Sequence, residues 1–369
     1  MSRLLSVLAA GVLAALAAGS AAAQDKVVNV YNWSDYIDES VLEDFTKETG
    51  IKVRYDVFDS NEVLETKLLG GKTGYDVVVP TGSFLQRQIQ AGIFLKLDKA
   101  KLPNIQYQWP AISERLAVYD PGNEYAVNYM WGTTGIGMNV DKVKDRLGDL
   151  PLNSWDIFFK PEILAKLKDC GVYILDGPEE VIPTALRYLG LDPNSKNPDD
   201  IAKAGDLLMT IRPSIKKFDS SGYINALARG DICIALGWSG DIFQAKTRAE
   251  EAAKKTKRKP VNIDYVIPKE GALMWFDNFA IPKDAKHVDE ALAFINYMMK
   301  PEVAAKNSIY ISYANGNLES QKFIDKTILD NPAIYPNAET QAKLFTVTTY
   351  PQDLQRVVTR TWNKFKRGK

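Results

Sequence analysis

Three indoles along this chain stand within three residues of a carboxylate just past an apolar run or in a strand-end context: Trp33 with Asp35, Trp238 with Asp241, and Trp275 with Asp277. Ser34 and Tyr36 flank the first pair. Ser83 lies in a Pro-Thr-Gly-Ser loop, and Glu179 and Glu180 follow Leu175-Asp176-Gly177-Pro178. Aromatic faces attract ammonium groups and cover methylenes, while carboxylates take the charge and hydroxyls accept further N–H bonds. The mixture suits a cation carried on an apolar chain. A flexible polyammonium ion loses strong hydration on enclosure, so each nitrogen needs an acceptor. Carboxylates at both ends of a box would then measure the distance between charges. Paired carboxylates could equally serve a glycosidase as acid and base, with the aromatics stacked on sugar.

Positioning such groups requires strands that end at a common edge. Val28 to Tyr31 reads as a short strand, Val41, Leu42 and Phe45 as one helix face behind Asp38 or Glu39, and Gly50 as its stop. Ile51, Val53 and Tyr55 alternate as a strand, Asn61 can cap a helix ending at Gly70-Gly71, and residues 75–79 form a continuously apolar strand. Further on come an extended Gly-rich strand at 135–139, a strand at 171–175, helices at 179–189 and 200–211, a strand at 232–236 and an extended stretch at 262–268. Strands alternating with helices predict doubly wound α/β sheets, whose ligands bind beyond the carboxyl ends of the strands. Two such lobes joined by extended strands would place a cleft between them.

Composition narrows the function. Arg3, the apolar stretch Leu4 to Ala18 and the small residues Ala21-Ala22-Ala23 form a cleavable export leader over residues 1–23. The remaining chain, roughly 345 residues, suits two domains. Lys plus Arg equals Asp plus Glu at 46 each, which argues against a nucleic-acid partner. The charge run at 250–259 reads as a solvated helix end. The cysteines, Cys170 and Cys233, are an even pair in an exported chain, so a disulfide is expected. With His287 as the one histidine and no Cys-x-x-Cys, no transition-metal site and no Ser-His-Asp triad are visible.

Four segments carry a family resemblance over essentially the whole length: Val30-Tyr31-Asn32-Trp33-Ser34-Asp35-Tyr36, Tyr75-Asp76-Val77-Val78-Val79-Pro80, Gly237-Trp238-Ser239-Gly240-Asp241 and Trp275-Phe276-Asp277. The chain resembles the periplasmic polyamine-binding proteins of extracellular solute-binding protein family 1, which serve bacterial ABC importers for putrescine or spermidine. That resemblance implies a type II periplasmic-binding fold. Lobe 1 would take 26–133 plus about 267–316, and lobe 2 about 137–262 plus 320–369. Hinge strands are expected near 134–139, 262–268 and 316–320. It further implies that Trp33, Ser34, Asp35, Tyr36, Ser83, Glu180, Ser220, Trp238, Asp241, Trp275, Asp277 and Tyr313 line the interlobe cleft. Glu179 is the alternative to Glu180, because one acidic position of the spermidine type falls on Gly177. Spermidine receptors resemble this chain in carrying Trp at position 275, where putrescine-preferring members carry Phe, so spermidine is expected to bind more tightly than putrescine. The reading is a monomeric, non-enzymatic periplasmic receptor without cofactor or metal, delivering its ligand to a membrane permease. An exported carbohydrate-active enzyme, the same fold with another solute such as sugar, iron or thiamine, and a sensor remain alternatives.

Overall fold

The structure is a computed structural model and describes residues 26–368. The leader expected at 1–23 lies outside the described residues. Among the described residues ten strands make one mixed sheet: β1 (Val27–Trp33), β2 (Lys52–Phe58), β3 (Val77–Val78), β4 (Ala126–Asn139), β5 (Val172–Ile174), β6 (Lys217–Phe218), β7 (Ile234–Trp238), β8 (Ile263–Val266), β9 (Leu273–Ala280) and β10 (Ala314–Asn315). The order is β2-β1-β3-β9-β4-β7-β5-β6, with β8 and β10 also pairing with β4. β1 is parallel to β2 and β3, and β7 is parallel to β5. Helices cross between these parallel pairs, as the strand–helix alternation predicts.

The 14-residue strand β4 runs through both halves and is buried along its entire length. Its first part pairs antiparallel with β9, from Ala126 opposite Ala280 to Thr134 opposite Leu273. From Thr134 to Met138 it pairs with β7, and from Ile136 to Asn139 with β8. Two main cores flank this shared strand. One gathers Val28, Val30, Phe45, Val77, Phe279, Phe294 and Ile311; the other gathers Trp155, Ile174, Leu186, Leu208, Ile234, Val358 and Phe365. The architecture is the two-lobed α/β arrangement expected from the sequence.

Local signals mostly hold. Asp38 caps the helix Glu39–Thr49 by accepting from the Ser40 amide, and Gly50 closes it in the left-handed region at φ 71°. The helix Asn61–Gly70 differs from expectation: Ser60, not Asn61, is its cap. The Asn61 amide is already engaged, donating to Thr81 Oγ1 at 2.9 Å and accepting the Thr81 amide at 3.1 Å. The strand expected over 75–79 pairs as only Val77–Val78. Asp76 turns inward instead, accepting the amides of Asn29, Lys286 and His287 and facing the His287 ring at 2.9 Å. His287 is thus a structural partner of a buried carboxylate.

Cys170 and Cys233 are bonded, with Cα atoms 5.5 Å apart, tying the segment that leads into β5 to the residue before β7. Among the described residues no helix is long and apolar enough to cross a membrane.

Candidate functional site

The Gly-Trp-Ser-Gly-Asp segment shows how backbone shape positions a carboxyl. β7 ends at Trp238, and the helix Ser239–Thr256 begins at once with Asp241 in its first turn. A side chain on Gly237 would lie 2.6 Å from the Tyr223 ring, and one on Gly240 only 2.4 Å from the Tyr313 ring. Glycine at both places lets two phenols lie against the backbone and reach Asp241. Tyr313 donates to Oδ1 at 2.6 Å and Tyr223 to Oδ2 at 2.8 Å.

Asp277, on β9, is built in the same way from the other lobe. Thr81 donates to its Oδ1 at 2.6 Å and Tyr36 to its Oδ2 at 2.8 Å. Glu180 stands in the first turn of the helix Pro178–Tyr188 and takes the Thr134 hydroxyl at 2.5 Å, with the Trp238 indole as a further donor. Burial pushes Asp241, Asp277 and Glu180 each up to about 7, against the lowering effect of their donors. Among the described residues no lysine, arginine or histidine bonds to any of the three.

Around these carboxyls stand aromatic rings. Trp33 meets Trp238 across the lobes with ring centres 5.6 Å apart, and Trp275 meets Tyr313 at 5.3 Å. Tyr36 meets Tyr313 edge-on at 5.2 Å. The Trp33 indole is held by the Val79 carbonyl at 2.9 Å, whereas the Trp275 N–H meets no acceptor among the described residues. Together the groups line a narrow cavity of about 30 Å³.

Ten of the residues expected from the sequence line this cavity: Trp33, Ser34, Tyr36, Glu180, Ser220, Trp238, Asp241, Trp275, Asp277 and Tyr313. Thr81 lines it too, and sequence reasoning passed over it in favour of Ser83 in the same loop. The signal lay in the pairing, because Thr81 sits opposite Asp277 as an antiparallel bridge extending β9. Tyr223 was also missed; only the close Gly237 backbone hints at it.

Asp35 and Ser83 do not line the cavity. Asp35 adopts a left-handed backbone at φ 55°, which turns its carboxylate outward onto Arg248 of the opposite lobe. Ser83 donates to Glu179 at 3.1 Å. Glu179 points away from the cavity and binds Arg87 at 2.6 Å, and Arg87 also grips Glu65 at 2.5 Å. The structure therefore separates the two neighbouring glutamates, with Glu180 inward and Glu179 in an interlobe ion pair. A side chain on Gly177 would approach Glu180 Cγ at 3.4 Å, so that position borders the same corner.

A family model described as "Bacterial extracellular solute-binding protein" matches residues 40–337. The chain belongs to this family. It is 53% identical over 367 residues to the putrescine-binding periplasmic protein PotF of Escherichia coli, covering 99% of this chain and 98% of that one. The putrescine-binding periplasmic protein SpuD of Pseudomonas aeruginosa is also 53% identical, over 371 residues and 100% of both chains. Among solved structures, the spermidine/putrescine ABC transporter substrate-binding protein PotD of Streptococcus pneumoniae superposes with a TM-score of 0.73 at 32% identity, covering 93% of this chain and 99% of that one. This member of the family is a periplasmic solute-binding protein of an ABC transporter and not an enzyme, which removes the glycosidase alternative.

Proposed function

We propose that the cavity binds a linear polyamine for delivery to the permease of the ABC importer. The observation that carries this reading is the set of three carboxyls facing the cavity, Asp241 and Asp277 buried and Glu180 half-buried, which have hydrogen-bond donors but, among the described residues, no cationic side chain bonded to them. Buried carboxylates of that kind require a counter-ion, and the aromatic walls between them require it to be carried on an apolar chain. A diamine satisfies both, with one ammonium near Asp241 and Asp277 and the other near Glu180. The names of the two 53% identical relatives support the same ligand class.

Within that class we propose that spermidine binds more tightly than putrescine. Trp275 offers a wide ring face against Tyr313. A neighbouring cavity shares Trp33, Glu180, Ser220 and Trp238 with the first and continues past Asp59 and Glu62, so a third nitrogen would find further acidic groups. The 53% identical relatives are named for putrescine, which favours the opposite order. Calorimetric titration of ligand-stripped protein with putrescine, cadaverine, spermidine and spermine separates the two. Tighter putrescine binding overturns the preference, and heats absent for all four overturn the amine reading.

Ligand capture in this reading proceeds by hinge closure along β4 and the extended connections near 262–268 and 316–320. Residues from both lobes supply contacts to one ligand, which is what shifts a population toward the closed state. Arg87–Glu179 and Arg248–Asp35 would form as the lobes meet. Small-angle scattering should show compaction on adding saturating spermidine; an unchanged radius of gyration would remove the hinge.

A further inference from the structure

We propose that the cavity exchanges protons for its cationic ligand: Asp241, Asp277 and Glu180 share protons while it is empty and ionise together as a polyammonium ion enters. The inference rests on the polyamine reading and concerns how that site is regulated.

Geometry is its first support. Asp241 is met by two phenols, Asp277 by a phenol and a threonine hydroxyl, and Glu180 by a threonine hydroxyl and an indole N–H. A hydroxyl donates to an ionised carboxylate and accepts from a neutral acid with a rotation of its own proton. Guanidinium or ammonium partners would have locked these groups in the charged form, and none bonds to them among the described residues. The site therefore tolerates both protonation states without moving a heavy atom.

Most of the neighbouring charges point the same way. Asp241 is raised by Asp35 from the loop after β1 and lowered by Arg248 on its own helix, whose guanidinium is paired with that same Asp35. Asp277 feels Asp241. Glu180 feels Asp277 from β9 and Glu179 beside it, and Arg87 is committed to Glu179 and Glu65. Tyr223, Tyr313, Tyr36, Tyr129 and Tyr265, which face the three carboxyls from five other segments, are all held above the ordinary phenol value by burial and stay protonated. Burial and mutual repulsion thus leave the three carboxyls titrating near pH 7 in the empty protein.

The proton balance follows. A primary amine resembling the lysine ammonium, with a pKa of about 10.4, enters already charged near neutral pH. Its arrival stabilises the carboxylates, so the carboxylic O–H protons leave to bulk water and no bond to the ligand forms or breaks. A raised carboxyl pKa in the empty state that falls on binding means proton release below about pH 8 and none above it. Ligand affinity consequently falls as the medium acidifies.

The test is calorimetry of wild-type, ligand-stripped protein with putrescine in phosphate and in Tris at matched pH. The buffer dependence of the binding enthalpy counts the protons released. We expect roughly one to two protons at pH 6.5 and close to none at pH 8.5, with Kd rising about tenfold per pH unit for each proton. In Glu180→Gln the count at pH 6.5 should drop while putrescine still registers. A buffer-independent enthalpy at pH 6.5, an equal release at pH 8.5, or an unchanged count in that variant overturns the proposal. Failure of every polyamine to bind at either pH overturns the ligand reading instead.

Discussion

Five of the carboxylates where the two lobes meet divide into an inner and an outer set. Asp241 and Asp277 are buried, and Glu180 half-buried, among phenols, threonines and indoles. Asp35 and Glu179 lie outside the cavity, Glu179 itself buried, each paired with a guanidinium of the opposite lobe. Adjacent residues fall on different sides of this divide: Glu180 is inner and Glu179 outer, Tyr36 inner and Asp35 outer. A carboxylate already matched by arginine is electrically spent and serves to join lobes. One given only neutral donors keeps its demand for a cation, and that demand is what a ligand can satisfy. Residue type is the same in both sets; the partner decides the role.

The comparison breaks most visibly at the inner set. Asp241→Asn and Asp277→Asn keep shape but leave a ligand ammonium without its anion in a desolvated site. Each should cost about 2–5 kcal/mol of binding, roughly 30-fold to several thousand-fold in Kd by titration at pH 8. Wild-type affinity in both variants would place the cation elsewhere.

Glu179→Gln probes the outer set. Its loss frees Arg87 from the opposite lobe while Glu65 still holds the guanidinium. The closed state weakens but the ligand contacts stay, so affinity should fall only about five- to thirtyfold, some 1–2 kcal/mol. Stopped-flow dissociation should carry most of that change. A loss as large as that of Asp241→Asn would erase the distinction between the outer and inner sets.

Trp275→Phe sharpens the inner set alone. The indole N–H has no acceptor among the described residues, so the substitution removes ring face without orphaning a partner there. The ratio of spermidine to putrescine affinity should shift toward putrescine by several-fold, about 1 kcal/mol. An indifferent ratio in competition titration would detach selectivity from this position.

The smallest effect on binding is expected from the Cys170–Cys233 bond, which lies in the core of one lobe and touches neither set. Reduction should lower thermal stability by on the order of 2–4 kcal/mol while leaving polyamine affinity near its wild-type value. A collapse of affinity on reduction would show the lobe core and the cleft to be coupled.

Much of this molecule was legible from residue order because local rules are short-range. Asp38 and Gly50 delimit a helix through bonds within a few residues, and the apolar runs of β1 and β7 announce buried strands that end at Trp33 and Trp238. Three indole–carboxylate pairs told of a cation site by chemistry alone, although Trp275 and Asp277 lie within β9 rather than past a strand end, and likeness to a family supplied Tyr313 and Ser220. What sequence could not rank were neighbours with equal chemistry. Thr81 and Ser83 share a loop, Glu179 and Glu180 share a helix turn, and Asp35 carries the same group as Asp277. Their fates depend on directions fixed by distant partners: the bridge of Thr81 to Asp277, the reach of Arg87 and Arg248 across the cleft, and the phenol of Tyr223 against Gly237. Side-chain periodicity says which face a residue occupies, but an electrostatic partner from another lobe is assigned only when the chain closes on itself. The sequence by itself determined the kind of ligand the carboxylates and rings could hold; the tertiary structure decided which of those carboxylates were left free to hold it.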